Sequence, residues 1–288
     1  MRRSVIEHFW PQIDKLILHF RREQWDLFDK QHNELLKKNE KFTSITQRKI
    51  ALYQALENYC KLFRPADVSP YKLIDDRINL AIGTSSSAID DLAKYYAAKN
   101  KSIEIDNQIQ DIRRRWVKIY YAVEPIYIAI YWNPEQYKLA DYTLAQKRFD
   151  ELKSIYIDCF ETFCRISVIA AGIEGIIATK TASVPKAKGT LTLEQFDTMS
   201  NGSKSDILRK LAIADLFVPF IDHRLRNGIG HHAAHYDVIR DKIDFTIENR
   251  KGIQVFEISY IAFCDKVVNI YRQLELVSLY SNWLQVFI

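Results

Sequence analysis

Histidine and arginine side chains concentrate in one short segment of the 288-residue chain, Asp222-His223-Arg224-Leu225-Arg226-Asn227-Gly228-Ile229-Gly230-His231-His232-Ala233-Ala234-His235-Tyr236-Asp237. Four of the seven histidines lie here, together with two arginines and two glycines. An imidazole titrates near neutral pH, and a guanidinium binds anions such as phosphate. The segment therefore predicts a site that transfers protons and binds an anion, with a solvated polar loop as the alternative.

Arg226 is followed directly by Asn227, and four residues separate Arg226 from His231. This arrangement resembles the signature of the HEPN superfamily (higher eukaryote and prokaryote nucleotide-binding domains). In that signature four to six residues separate an arginine from a histidine, and a polar residue, often asparagine, follows the arginine. The predicted order of elements around the motif is also similar to that of many members. The resemblance covers about residues 135–288.

Members with an intact motif are commonly metal-independent endoribonucleases, so the resemblance implies that activity here, without a cofactor. It makes His231 the acid/base, Arg226 the phosphate clamp and Asn227 an orienting group. The side chains suit this chemistry, because an imidazole accepts the proton of the RNA 2′-hydroxyl and a guanidinium stabilises the charge that gathers on the phosphate. The product would end in a 2′,3′-cyclic phosphate.

Helical geometry leaves open which of the two arginines binds the phosphate. On a regular helix Arg226 and His231 point about 140° apart. Either the two glycines distort the helix, or two chains share the site, and the resemblance favours a homodimer with a composite active site. An undistorted helix would instead align four residues in one stripe, Arg224, Asn227, His231 and His235. Arg224 is therefore the alternative clamp, although Asn227 directly after Arg226 favours Arg226.

Several further residues are candidates for auxiliary roles. His232 is an alternative to His231, and Tyr236 is expected to cap the motif helix or to pack at its end. Glu174 is a carboxylate in an apolar helix, expected either to reach a site arginine or to lie solvated at the edge of the core. The run Arg113-Arg114-Arg115 is interpreted as a solvated helix face.

A zinc site is a third interpretation of the histidine cluster. His231 and His235 have the i, i+4 spacing of zinc-protease helices. Those helices carry a glutamate directly after the first histidine, where this chain has His232, and no third ligand is obvious. We therefore expect no metal.

The apolar pattern predicts an all-α helical bundle with one short β-hairpin near the C-terminus. With eight glycines and seven prolines the chain has few turn residues. Apolar residues at spacings of three and four predict helices. The predicted helical segments are a first helix starting near Trp10 (because of Pro11), residues 44–63, 71–82, 86–98 and 105–130, a helix of about 40 residues from Phe149, residues 206–216, a segment from Pro219 past Gly228, and residues 263–277.

Alternating apolar residues predict the hairpin at 242–248 and 253–255, and residues 179–205 are expected to form a polar, mildly basic loop. Trp132-Asn133-Pro134 is the predicted boundary between a helical N-terminal region, residues 1–134, and a HEPN-like domain, residues 135–288. Two apolar stretches, 119–132 and 166–178, are shorter than the roughly 20 residues of a membrane helix. They predict buried core helices.

The net charge of +5 permits an anionic partner such as RNA without requiring one. Four scattered cysteines and the lack of a secretory leader predict buried, reduced thiols in a cytoplasmic protein. The resemblance implies a bacterial toxin or antiviral abortive-infection effector that cuts tRNA or mRNA, with an antitoxin or regulatory partner. The alternative is a non-catalytic HEPN-like module that binds a nucleotide or a protein, but such a module does not need the histidine base.

Overall fold

The computed structural model describes residues 2–61, 69–98, 100–132, 138, 144, 148–230, 234–249 and 252–285. Most of them are helical, which confirms the predicted fold class. The helices are α1 (Arg2–Arg21), α2 (Trp25–Leu36), α3 (Ile45–Lys61), α4 (Ser69–Thr84), α5 (Ser86–Ala98), α6 (Lys101–Trp132), α7 (Phe149–Thr179), α8 (Leu193–Asp197), α9 (Asn201–Leu208), α10 (Ala214–Phe217), α11 (His223–Gly230) and α12 (Tyr260–Leu284). The strands are β1 (Ser183–Pro185), β2 (Thr190–Thr192), β3 (Ala234–Asp237), β4 (Lys242–Asn249) and β5 (Gly252–Ser259).

The helices predicted between residues 44 and 130 are confirmed as α3 to α6. The start predicted near Trp10 is wrong, because α1 begins at Arg2 and continues through Pro11. A proline inside a helix removes one backbone hydrogen bond, but Trp10 and Ile13 are buried in the core and hold this turn in place. The sequence analysis did not predict α2, in which the buried His32 interrupts the apolar series between Phe28 and Leu35.

The long apolar helix α7 is continuous, as predicted, but it has 31 residues rather than about 40. It ends where Lys180 adopts a left-handed conformation and donates its N–H to the Ile176 carbonyl, a common way to stop a helix. By length and hydropathy α7 resembles a membrane span, yet 78% of its most apolar window is buried inside the protein. This burial is weak evidence for the predicted core helix. In the other apolar stretch, Val123 and Ile126 are also buried.

Residues 179–205 do not form one loop, and that prediction is wrong. They contain β1, β2, α8 and the first residues of α9. Thr192 and Gln195 form a capping box at the start of α8, and the Ser200 hydroxyl accepts the Ser203 N–H at the start of α9. Polar residues are favoured in such caps. The polar composition therefore marks helix starts here rather than a loop.

The C-terminal half also differs in detail from its prediction. In place of the helix predicted over residues 206–216, the chain forms α9, a turn and the short α10. A 3-10 turn, Val218–Phe220, then precedes α11. The closing helix is confirmed as α12 and is longer than predicted.

The predicted hairpin is confirmed as β4 and β5, which pair antiparallel with Phe245 opposite Phe256. The structure adds a third strand, β3, on the other side of β4, where Tyr236 lies opposite Ile243. Ile243 and Phe245 point into the core. The sheet thereby attaches the end of α11 to the body of the protein.

One continuous core contains side chains from helices on both sides of the predicted boundary at 132–134. Most residues from 133 to 147, which include Asn133 and Pro134, lie outside the described part of the chain. Helices α6 and α7 run antiparallel beside each other, as the contact of Arg115 with Asp158 and that of Thr162 with Gln108 demonstrate. Helix α12 packs against both.

A fully buried ion pair joins α6 to α12. The Arg113 side chain is 0% exposed and Glu275 is 1% exposed, and Arg113 Nη2 lies 2.6 Å from Glu275 Oε2. Arg113 Nη2 also lies 3.2 Å from the Ser278 hydroxyl, and the guanidinium faces the rings of Trp10 and Tyr59. The predicted solvated face is therefore wrong for Arg113, because one of three consecutive helix positions points into the core.

We expect Glu275→Gln to lower the free energy of unfolding by about 3–5 kcal/mol, because it leaves the Arg113 charge buried without a counterion. Urea unfolding measures this change. The matched control is Asp14→Asn, which breaks the exposed pair of Asp14 with Arg114 and should cost less than about 1 kcal/mol. A Glu275→Gln variant as stable as wild type would contradict the structural role of the buried pair.

Candidate functional site

Helix α11 carries the candidate arginines, and Asp222 fixes where it begins. The Asp222 Oδ1 atom accepts the Leu225 N–H at 3.0 Å, and Oδ2 lies 2.9 Å from Lys266 Nζ on α12. Partial burial alone would raise the pKa of Asp222, but the hydrogen bonds from Leu225 and Lys266 outweigh it and hold the pKa below its ordinary value. Asp222 is therefore a charged cap that anchors α11 to α12 near neutral pH.

The glycines of the motif do not distort the helix. Gly228 lies within α11, and Gly230 is its last residue. A Cβ atom on Gly228 would stand 2.8 Å from Phe245 Cδ1. Gly228 thus allows α11 to approach the sheet closely. The alternative in which the glycines distort the helix is wrong for the described residues.

The Arg226 side chain points from α11 to α7. Its Nε and Nη2 atoms donate to Glu161 Oε1 at 2.9 and 2.7 Å. The side chains are 34% and 37% exposed, so solvent reaches both partners. The guanidinium also lies beside Gly230, since a Cβ atom there would be 3.4 Å from Arg226 Nη1. Arg226 therefore reaches the end of α11, directly before His231, while Asn227 is half-buried beside it.

Arg224 points to the other side of α11. It is exposed, and its guanidinium carbon lies 4.2 Å from the centroid of the Phe256 ring on β5. This cation–π contact attaches Arg224 to the sheet rather than to α7. The two candidate arginines therefore face different neighbours, Arg226 the helix α7 and Arg224 the strand β5.

His231 and His232 lie outside the described residues. The chain leaves the helix at Gly230 and enters β3 at Ala234, where His235 is exposed and pairs with Asp244 of β4. The expected stripe through His235 is therefore wrong, because pairing with β4 draws this residue into a strand. The same finding removes the helical i, i+4 geometry on which the zinc interpretation depended.

Tyr236 does not lie at the end of the motif helix, as expected, but in β3. Its hydroxyl donates to Asp241 Oδ1 at 2.6 Å, and its ring packs against Phe149 and Tyr260. Tyr236 has the packing role that was predicted, although it packs from a strand.

Glu174 reaches an arginine, but not one of the motif. It is 5% exposed, and its two carboxylate oxygens accept hydrogen bonds from Nε and Nη2 of Arg77 on α4 at 2.7 and 2.6 Å. Glu174 lies thirteen residues after Glu161 on α7, which is about 20 Å along the helix. The expectation that Glu174 contacts a site arginine or lies solvated is wrong.

The sequence analysis gave no individual role to two residues of this site, Glu161 and His223, although His223 lies in the predicted segment. The His223 ring packs edge-on against Phe160 with centroids 5.9 Å apart. Burial lowers the pKa of His223 below its ordinary value, so the ring is neutral at pH 7. Glu161 is 65 residues from Arg226 in sequence, and no spacing rule connects residues across such a distance.

Glu161 also borders a cleft of about 390 Å³ between α6 and α7. The other residues that line this cleft are Asn107, Gln108, Asp111, Ile112, Arg115, Asp158 and Thr162. Since Arg226 binds only Oε1 of Glu161, the second oxygen is left for other donors at this edge.

The four cysteines are free and buried, as predicted. Burial raises the pKa of Cys60 and of Cys164 to about 12, so both are thiols. In the described ranges no group of three or more His, Cys, Asp or Glu residues could hold a metal ion.

The site thus combines an accessible guanidinium, a carboxylate that holds it and a neutral imidazole on one side of α11. These groups can bind an anion and transfer a proton. No family model, curated protein or solved structure matches the chain.

We expect Gly228→Ala to lower the free energy of unfolding by about 1–3 kcal/mol, because the new methyl group overlaps the buried Phe245 ring. Thermal or urea unfolding measures the change. Gly83→Ala on α4 is the control, since no atom lies within 4 Å of its added Cβ and a helical alanine is favoured. Equal stability of both variants would contradict the close packing of α11 on β4.

Proposed function

We propose that this protein is a metal-independent endoribonuclease of the HEPN type, in which Arg226 binds the scissile phosphate and His231 acts as an acid/base. One observation carries the proposal. The Arg226 guanidinium lies beside Gly230, the residue before His231, and about a third of the side chain is open to solvent. The arginine of the motif is therefore available to an anion at the place where the chain continues to the histidine.

The proposed reaction needs no metal. The RNA 2′-hydroxyl gives its proton to an imidazole, and its oxygen bonds to the neighbouring phosphorus. The bond from phosphorus to the 5′-oxygen breaks, and that oxygen takes up a proton. The products end in a 2′,3′-cyclic phosphate and a 5′-hydroxyl. Arg226 stabilises the negative charge on the phosphate oxygens in the transition state, and Asn227 orients the site.

Binding of the phosphate requires Arg226 to exchange partners. An ion pair that is about one-third exposed, such as Arg226 and Glu161, contributes little net stability, so a phosphate can replace the carboxylate. RNA is the substrate class that the resemblance implies.

The cellular role is proposed on the resemblance alone. It is that of a cytoplasmic bacterial toxin or antiviral abortive-infection effector, held inactive by an antitoxin or regulatory partner until triggered. The helical region 1–134 would then sense the trigger, guide the substrate or restrain the site.

We expect the wild-type protein to cleave a pool of total RNA and tRNA in the presence of EDTA and to leave cyclic-phosphate ends. His231→Ala and Arg226→Ala should each reduce the rate at least about 100-fold, because they remove the acid/base and the phosphate ligand. Arg224→Ala is the matched control and should stay close to wild type, since Arg224 packs on Phe256.

Three outcomes would contradict this assignment. If Arg226→Ala still cleaves RNA and Arg224→Ala does not, Arg224 rather than Arg226 binds the phosphate. Activity that EDTA abolishes would favour the zinc hydrolase. A wild type that binds nucleotides, leaves RNA intact and is harmless when expressed in cells would favour the non-catalytic module.

The composite homodimer makes a separate prediction. If Arg226 of one chain works with His231 of another, mixing inactive Arg226→Ala with inactive His231→Ala should restore about a quarter of wild-type activity. Half of randomly mixed dimers are heterodimers, and each has one intact site of two. Light scattering should then give twice the 33.8 kDa chain mass. If the mixture exchanges subunits but regains no cleavage activity, Arg226 and His231 of each site belong to the same chain.

A further inference from the structure

Cleavage of RNA without a metal involves two proton transfers at two different oxygens. One proton leaves the 2′-oxygen, and another reaches the departing 5′-oxygen. The motif supplies a single histidine per chain for both transfers. This inference rests on the proposed ribonuclease activity and concerns the group that performs the second transfer.

His223 lies on the same face of α11 as the motif arginine. His223, Arg226, Asn227 and Gly230 follow one another at positions i, i+3, i+4 and i+7, which form one stripe of a helix. The packing partners agree with this geometry, because the His223 ring contacts Phe160 while Arg226 binds the next residue of α7, Glu161. The imidazole and the guanidinium therefore flank the same short stretch of α7.

The surroundings of His223 leave one ring nitrogen available. Nε2 is buried without a hydrogen-bond partner in the described structure, and it would lie 4.0 Å from a Cβ atom placed on Gly202. Nδ1 is not among the buried unpaired atoms, so the half-exposed ring meets solvent on that side. In the tautomer that carries its proton on Nε2, the Nδ1 lone pair can accept a proton.

Charged groups of both signs surround the ring. Asp206 and Asp222 favour its protonated form, whereas Arg209 and Arg226 oppose it. Glu161 faces the same region from α7, paired with Arg226. Burial has the largest effect and lowers the pKa of His223, so the imidazole is neutral at pH 7, the state that a general base requires.

We propose that His223 is the general base that accepts the proton of the 2′-hydroxyl, and that His231 donates the proton to the 5′-oxygen. Both transfers then balance, since one imidazole gains the proton that the nucleophile loses and the other supplies the proton that the leaving group gains. Arg226 lies one turn after His223 on the same face of α11 and binds the phosphate. The imidazole of His223 is thus assigned a catalytic role outside the Arg-to-His motif.

A substrate with a better leaving group separates the two roles. An RNA oligonucleotide carrying sulfur in place of the 5′-oxygen at the cleaved bond needs no proton donor, because a thiolate leaves unassisted. We expect His231→Ala to cleave ordinary RNA about 100-fold or more slowly than wild type. On the sulfur substrate the same variant should recover most of the wild-type rate. His223→Gln should cleave both substrates more slowly than wild type by a similar factor, because this variant lacks the general base whichever atom leaves.

The pH profile provides a readout that a structural role would not change. For wild type, kcat/KM should fall on the acid side of the profile, at a pH below the ordinary imidazole pKa of about 6.5, because burial lowers the pKa at which His223 becomes protonated. His223→Gln should lose this acid-side decrease. His8→Gln, an exposed histidine on α1, is the control and should keep the wild-type rate and profile. Thermal unfolding of each variant checks that it is folded.

The results distinguish this inference from the proposed function. If wild type cleaves RNA and folded His223→Gln cleaves it within about twofold of wild type, His223 is not the base. Recovery of His223→Gln rather than His231→Ala on the sulfur substrate would also overturn the assignment. If wild type leaves both substrates intact, the proposed ribonuclease activity is wrong, and so is the proposed role of His223.

Discussion

The buried pair of Arg113 and Glu275 is the contact on which the rest of the structure depends. Two charges shielded from solvent are tolerated only when they are paired and hydrogen-bonded. Here Arg113 Nε donates to Glu275 Oε1 and Arg113 Nη2 donates to Glu275 Oε2 and to the Ser278 hydroxyl. The pair therefore fixes α6 against α12. Helix α7 packs against both, and α11 rests on α7 and β4. The position of Arg226 follows from this chain of contacts.

Arg113 and Arg226 both bind a carboxylate, but their surroundings give them different roles. Arg113 is sealed in the core beside aromatic rings, where losing its partner is costly. Arg226 is about one-third exposed, so its pair with Glu161 is weak and another anion can replace the carboxylate. Exposure rather than residue type separates the structural arginine from the proposed phosphate ligand.

Periodic apolar spacing was sufficient to predict most long helices and the β4–β5 hairpin, because burial of one face repeats along the chain. It could not place His235 in β3, since a four-residue strand carries too short a pattern. Polar residues such as Thr192 were predicted to form a loop, although Thr192 caps the start of α8. The motif itself led to Arg226, and His223 lies three residues before it on the same helix, although its spacing was given no role. Glu161 joins the site through a tertiary contact between α7 and α11, which no local pattern records.

The proposed chemistry depends on the 2′-hydroxyl next to the scissile phosphate. The most direct test uses an RNA oligonucleotide that the protein cleaves at one bond, and a copy with a single 2′-deoxyribose at that position. The account predicts that the copy stays intact with EDTA present, while the all-ribose strand gives a 2′,3′-cyclic phosphate end. Cleavage of the deoxy copy at the same bond would contradict it, because another nucleophile would then attack the phosphorus.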